Sequence, residues 1–134
     1  MSDRYTGRCL CGAVRYECGP LLYPPTLCHC QSCRRASGAH ALGWITVAAP
    51  NLVFTHGRPV EFGSSAGRTR GFCGACGSPL SYRTQSRLAE VDVTLGTLDE
   101  PERAVPADHI WMEDAPGWDR PGDGLPCYPR ARGA

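Results

Sequence analysis

The chain has 134 residues, a formal charge of +1 and an apolar fraction of 42%. That length suits one domain with a buried core, and no apolar run reaches the roughly 18 residues of a membrane span. The near-neutral balance, with no basic stretch longer than Arg34-Arg35, excludes a nucleic-acid footprint.

Sixteen glycines and twelve prolines favour short strands and many turns over long helices. The reading is therefore all-β, with few or no helices, as a single domain over residues 1–134 whose core runs from about 7 to 128. The N-terminus, Met1-Ser2-Asp3-Arg4-Tyr5, lacks the apolar stretch of a secretion signal, so the reducing cytoplasm is the expected compartment. There the nine cysteines read as metal ligands or reactive thiols rather than disulfides.

In chain order, residues 7–18 read as a strand after a tight start. The Pro-rich residues 19–27 read as loop. Cys28-His29-Cys30-Gln31-Ser32-Cys33 leads into a short helical turn through Arg34-Arg35-Ala36. Residues 39–48 and 51–56 read as strands parted by Pro50, and 58–62 as another. Arg68 to Phe72 leads into Cys73-Gly74-Ala75-Cys76-Gly77, and Pro79 to Arg83 leads away from it. Residues 90–95 alternate, with Val91, Val93 and Leu95 on one face of a half-buried strand. Residues 107–112 read as a last strand, and the chain from Pro116 onward as loop.

Seven cysteines fall into three groups. Cys9 and Cys11, two apart in a strand, present both sulfurs to one face. Cys73 and Cys76, set among glycines, outline a zinc knuckle. Each pair supplies two ligands, and a structural zinc takes four in a tetrahedron. Joining the pairs staples the first strand to the middle of the chain, so metal-binding energy becomes folding energy. The alternative is four free core thiols.

Cys28, Cys30 and Cys33 offer three thiolates without an evident fourth, the pattern of a zinc site with an open position. Three thiolates leave the site near −1, which suits capture of an external thiolate better than activation of water. Closure by His29, His40, His109 or another cysteine would make it a second structural site. His29 alternates with its cysteine neighbours and is expected to turn away from the metal. Cys18 and Cys127 stand alone and read as ordinary thiols. Trp44, Trp111 and Trp118 read as core or rim residues. The zinc nucleobase deaminase pattern is missing, because no His-x-Glu precedes a Pro-Cys-x-x-Cys.

These motifs carry a resemblance. Gly7-x-Cys9-x-Cys11-Gly12-x-Val14, Cys28-His29-Cys30-x-x-Cys33-Arg34, Gly38 and Gly63-Ser64-Ser65 come first. Arg70-x-Phe72-Cys73-x-x-Cys76-Gly77-Ser78-x-Leu80, Gly96-x-Leu98-Asp99-x-Pro101 and His109-Ile110-Trp111 follow. In that order they resemble the glutathione-dependent formaldehyde-activating enzyme family, in a short branch that is also similar to centromere protein V. The resemblance implies a β-tent fold of small antiparallel sheets stapled by zinc. It implies a structural zinc on Cys9, Cys11, Cys73 and Cys76, and a second, reactive zinc on Cys28, Cys30 and Cys33. The implied activity is a carbon–sulfur lyase run in reverse, forming S-(hydroxymethyl)glutathione from glutathione and formaldehyde. The expected partners are therefore a small thiol, glutathione or an analogue, and an aldehyde, with neither nucleic acid nor membrane. A non-catalytic zinc-stabilised adaptor, or a glutathione carrier, is the alternative. Arg34 and Arg35, directly after the last ligand, are candidate contacts for the thiol's carboxylates, with Arg70 a further candidate.

Overall fold

The computed structural model describes residues 3–133; Met1, Ser2 and Ala134 of the expected domain lie outside the described residues. Ten strands follow in chain order: β1 (Tyr5–Arg8), β2 (Arg15–Cys18), β3 (Thr26–Cys28), β4 (Leu42–Ala48), β5 (Val53–His56), β6 (Val60–Ser65), β7 (Arg68–Phe72), β8 (Pro79–Thr84), β9 (Glu90–Thr94) and β10 (Asp108–Ile110). Among the described residues one α-helix accompanies them, α1 (Gln31–Ser37), with five short 3-10 turns. The expected all-β class holds. The strands make a three-stranded sheet, β1-β2-β5, and a seven-stranded sheet, β10-β3-β4-β9-β8-β7-β6. Neighbours are antiparallel except the pair β10–β3.

Alternation along the strands decides what lies between the sheets. Ile45 and Val47 of β4 and Val91 and Val93 of β9 are buried against Tyr16 and Cys18 of the small sheet and Val14 of its β1–β2 turn. Tyr16 closes over Gly7, where a Cβ would stand 2.2 Å from its hydroxyl oxygen. The opposite face of the large sheet carries Cys28 on β3, Trp44 on β4, Tyr82 on β8 and Arg70 on β7. Adjacent strands hold these positions in register, with Thr26 opposite Trp44, Cys28 opposite Leu42 and Arg70 opposite Tyr82. The large sheet therefore has a core face and a working face.

Three local expectations are corrected. Residues 7–18 are not one strand but a hairpin, β1 and β2 joined by a turn. Gly12, at φ +80°, reverses the chain and donates to the Cys9 carbonyl at 3.2 Å, while the Cys9 amide donates to Val14 at 3.1 Å. Cys9 and Cys11 thus sit in a knuckle, not on one face of a strand. The helical turn at 34–36 is a helix from Gln31 to Ser37, capped at both ends: the Cys30 sulfur accepts the Cys33 N–H, and Gly38, left-handed at φ +76°, donates to the Arg34 carbonyl at 2.7 Å. The strand expected over 58–62 starts after Pro59, which has no N–H to give, and runs on to Ser65 against β7.

The tail is irregular, as expected, but it is docked. His109 donates to the Pro126 carbonyl and accepts from the Tyr128 amide, both at 2.9 Å, and Trp111 donates to the Arg130 carbonyl at 2.9 Å. Arg132 makes a forked ion pair with buried Asp108 and donates to the Pro24 carbonyl at 2.9 Å.

Candidate metal centres

The β1–β2 knuckle and the β7–β8 knuckle meet. Cys9, Cys11, Cys73 and Cys76 place four sulfurs within 4.8 Å of one another. Cys9 and Cys11 are 3.7 Å apart, and Cys11 and Cys73 are 3.8 Å apart. A tetrahedral zinc with metal–sulfur bonds of about 2.3 Å has an edge of about 3.8 Å, which these two separations match. Gly77, at φ +81°, turns the second knuckle and donates to the Cys73 carbonyl at 2.8 Å. Ser78 ties the two knuckles together: its hydroxyl accepts the Leu10 amide at 2.9 Å and lies 3.2 Å from the Cys76 sulfur. That hydroxyl, with nearby backbone N–H groups, holds the Cys76 thiol down at about 5.

The third group assembles at the end of β3 and the start of α1. Cys28, Cys30 and Cys33 bring three sulfurs within 4.8 Å. Among the described residues no further His, Cys, Asp or Glu ligand atom joins them. Packed this closely, the three thiols shift one another's acidity in opposite directions. Hydrogen bonds from the Cys28 and Cys33 thiols hold Cys30 well below the usual thiol range, at about 2. The bond to Cys30, the bond to Cys33 and burial together push the Cys28 thiol far up. Cys33 also rises: its bond with Cys28 lowers it, but its bond to Cys30 and its burial outweigh that. Three thiolates this close together need a compensating positive charge.

The histidines weighed as a fourth ligand face elsewhere. His29, 2% exposed, donates from Nδ1 to Asp119 at 2.7 Å and shares a 2.8 Å hydrogen bond through Nε2 with His109. His109 donates from Nε2 to Asp123 at 2.8 Å. His40 lies on the surface against Trp118, itself 72% exposed. The expectation that His29 turns away from the cysteines holds, and its partners pin the tail behind them.

The walls of the second cluster are aromatic and aliphatic. Trp44 is buried beside it, and Leu42, Tyr82, Ile110 and Trp111 pack against it. Trp111 takes the left-handed conformation, φ 59° and ψ 37°, rare for a bulky residue. Trp44 and Ile110 also line a cavity of about 110 Å³ with Tyr23, Pro24, Thr26, Thr46 and Arg132.

The arginine candidates separate. Arg34 spends Nη1 on the Asp114 carbonyl at 3.0 Å, and Arg35 is exposed on the helix. Arg70 comes to the cluster itself, with Nη2 3.9 Å from the Cys33 sulfur. Cys18 is fully buried, and burial pushes its thiol up to about 11; Cys127 is exposed. The sequence reading passed over Asp119, Asp123 and Arg132. No local pattern marks them, since each finds its partner across the fold.

The sequence model of the glutathione-dependent formaldehyde-activating enzyme family matches residues 4–114. No curated protein matches the chain. Among solved structures, a crystal structure of a Rhodobacter sphaeroides protein is similar at a TM-score of 0.62 and 23% identity. The match covers 92% of this chain and 98% of that one, a likeness of fold.

Proposed function

The chain belongs to the glutathione-dependent formaldehyde-activating enzyme family, and from that premise we propose that it is a zinc-dependent carbon–sulfur lyase or synthase. It joins a small thiol to an aldehyde, as in the formation of S-(hydroxymethyl)glutathione from glutathione and formaldehyde. One observation carries the reading: three sulfurs converge with no fourth ligand among the described residues, in a wall of apolar side chains.

Cys9, Cys11, Cys73 and Cys76 hold a structural zinc; Cys28, Cys30 and Cys33 hold the reactive one. When bound, that ion supplies a soft positive charge that favours the thiolate form of an incoming thiol. The protein does the rest. Cys28, Cys30 and Cys33 keep one side of the ion sulfur-rich, so an added thiolate stays nucleophilic. Trp44, Tyr82 and Trp111 exclude water from the reacting sulfur. Arg34 or Arg35, directly after the last ligand, takes a carboxylate of the thiol.

X-ray absorption at the zinc edge tests the reading. Adding glutathione to the reduced, zinc-loaded protein is expected to raise the average sulfur coordination, from one four-sulfur and one three-sulfur site toward two four-sulfur sites. A spectrum unchanged by any physiological thiol, with thiol–aldehyde addition no faster than without protein, removes the enzyme reading in favour of a zinc-stabilised adaptor. Loss of glutathione affinity in neither Arg34→Ala nor Arg35→Ala removes those two contacts.

A further inference from the structure

We infer that Arg70 is the group that receives the negative charge of the carbonyl oxygen as sulfur adds to the aldehyde carbon. The inference rests on the thiol–aldehyde reading above and names a residue for its charge-bearing step.

Arg70 stands on β7 opposite Tyr82 of β8, on the face of the large sheet that carries Cys28. Its guanidinium carbon lies 4.8 Å from the centre of the Tyr82 ring. Tyr82 packs in turn against Trp44, with ring centres 6.1 Å apart. Nη2 reaches Cys33 Sγ at 3.9 Å, and among the described residues that sulfur is the acceptor Arg70 has. The site thus holds a half-buried cation, fixed by an aromatic face and engaged by no carboxylate among the described residues. Of its five N–H donors, one points to Cys33 and the others are unspent.

Distance selects the role. In the addition a C–S bond forms, the C=O π pair moves onto oxygen, and the alkoxide then takes a proton from solvent; the proton shed by the thiol balances it. The oxygen that gains charge is two bonds from the attacking sulfur. The carboxylates of a glutathione-like thiol are several bonds farther off. A guanidinium 3.9 Å from one of the sulfurs that would hold the thiol-binding ion is placed for the near oxygen, not the far carboxylate. Arginine does not deprotonate at ordinary pH, so it serves as a fixed donor throughout, stronger against an alkoxide than against a neutral carbonyl.

The test compares zinc-loaded wild type, Arg70→Gln and Arg70→Lys with glutathione and with 2-mercaptoethanol, which has no carboxylate. Catalysed addition to formaldehyde is read by NMR exchange, thiol affinity by calorimetry, and zinc by elemental analysis. Arg70→Gln is expected to keep its zinc and to bind either thiol within about twofold, while the catalysed rate falls about a hundredfold or more with both. Arg70→Lys, which keeps the charge and loses the fork, is expected to recover part of that rate. A rate loss seen with glutathione alone, together with weaker glutathione binding, would make Arg70 a carboxylate anchor and overturn the inference. Loss of the second zinc in both variants would make it a brace for the Cys33 sulfur and overturn it equally. Failure of the enzyme reading shows separately, as a wild-type protein that accelerates neither addition.

Discussion

At the scale of single residues, two glycines are required for different reasons. Gly7 is a matter of space: a Cβ there would meet the Tyr16 hydroxyl at 2.2 Å and the Thr97 carbonyl at 2.7 Å. Tyr16 is fully buried, its hydroxyl 2.7 Å from that of Thr97, so it has nowhere to go. Gly7→Ala is expected to cost about 1–3 kcal/mol in denaturant unfolding. Gly77 is a matter of angle: nothing lies within 4 Å of its Cβ position, but φ is +81°. Gly77→Ala is expected to cost about 1–2 kcal/mol, and to weaken metal retention at the knuckle it turns. The cysteines divide in the same way. Cys33→Ser removes a ligand from the three-sulfur cluster and is expected to leave a folded protein short of one zinc. Cys76→Ser breaks the four-sulfur cluster and is expected to destabilise by more than about 4 kcal/mol. Equal losses in melting temperature for the two variants would contradict the division into a structural and a reactive site.

At the scale of elements, the tail behaves as a strap whose fastenings titrate. Asp108 on β10 is 3% exposed. Burial raises its carboxyl, but the Arg132 guanidinium and the Thr26 hydroxyl, 2.5 Å away, outweigh it and hold the group below the usual carboxylate range. A lowered folded value means that the carboxylate stabilises the fold above its unfolded pKa of about 3.9, and that this contribution is lost as pH falls through the lower folded value. Asp108→Asn is therefore expected to be less stable than wild type by about 1–3 kcal/mol near neutrality. The gap should close below about pH 4, which a series of denaturant titrations across pH checks. A gap independent of pH would show that the carboxylate's charge plays no part in holding Arg132.

At the scale of the whole molecule, the four-sulfur cluster joins the hairpin of the small sheet to a turn of the large one, Cys11 to Cys73 across 62 positions. An ion held there would act as a cross-link between sheets, whereas one held by Cys28, Cys30 and Cys33 would sit on one face of one sheet. Chelation is expected to proceed in two stages: the three-sulfur site empties first, with strand content by circular dichroism unchanged, and the four-sulfur site empties with unfolding. Elemental analysis of protein purified without chelator is expected to give two zinc ions per chain. A single unfolding step coincident with loss of the first ion would mean that both clusters hold the fold.

Features encoded over short spans were legible before folding. Alternation in Glu90–Thr94 marked a half-buried strand, and two-residue and three-residue cysteine spacings marked the cysteines that cluster, because strand period and knuckle geometry are local. The alternation of His29 with Cys28 and Cys30 already turned its ring away from them. Only the tertiary structure decided that residues 7–18 fold back as a hairpin, that Asp119 reaches His29 across 90 positions, and that Arg70 meets Cys33 across 37. Those contacts arise from sheet register and from a docked tail. Register follows from pairing energies summed over the whole chain, so no window of a few residues carries it.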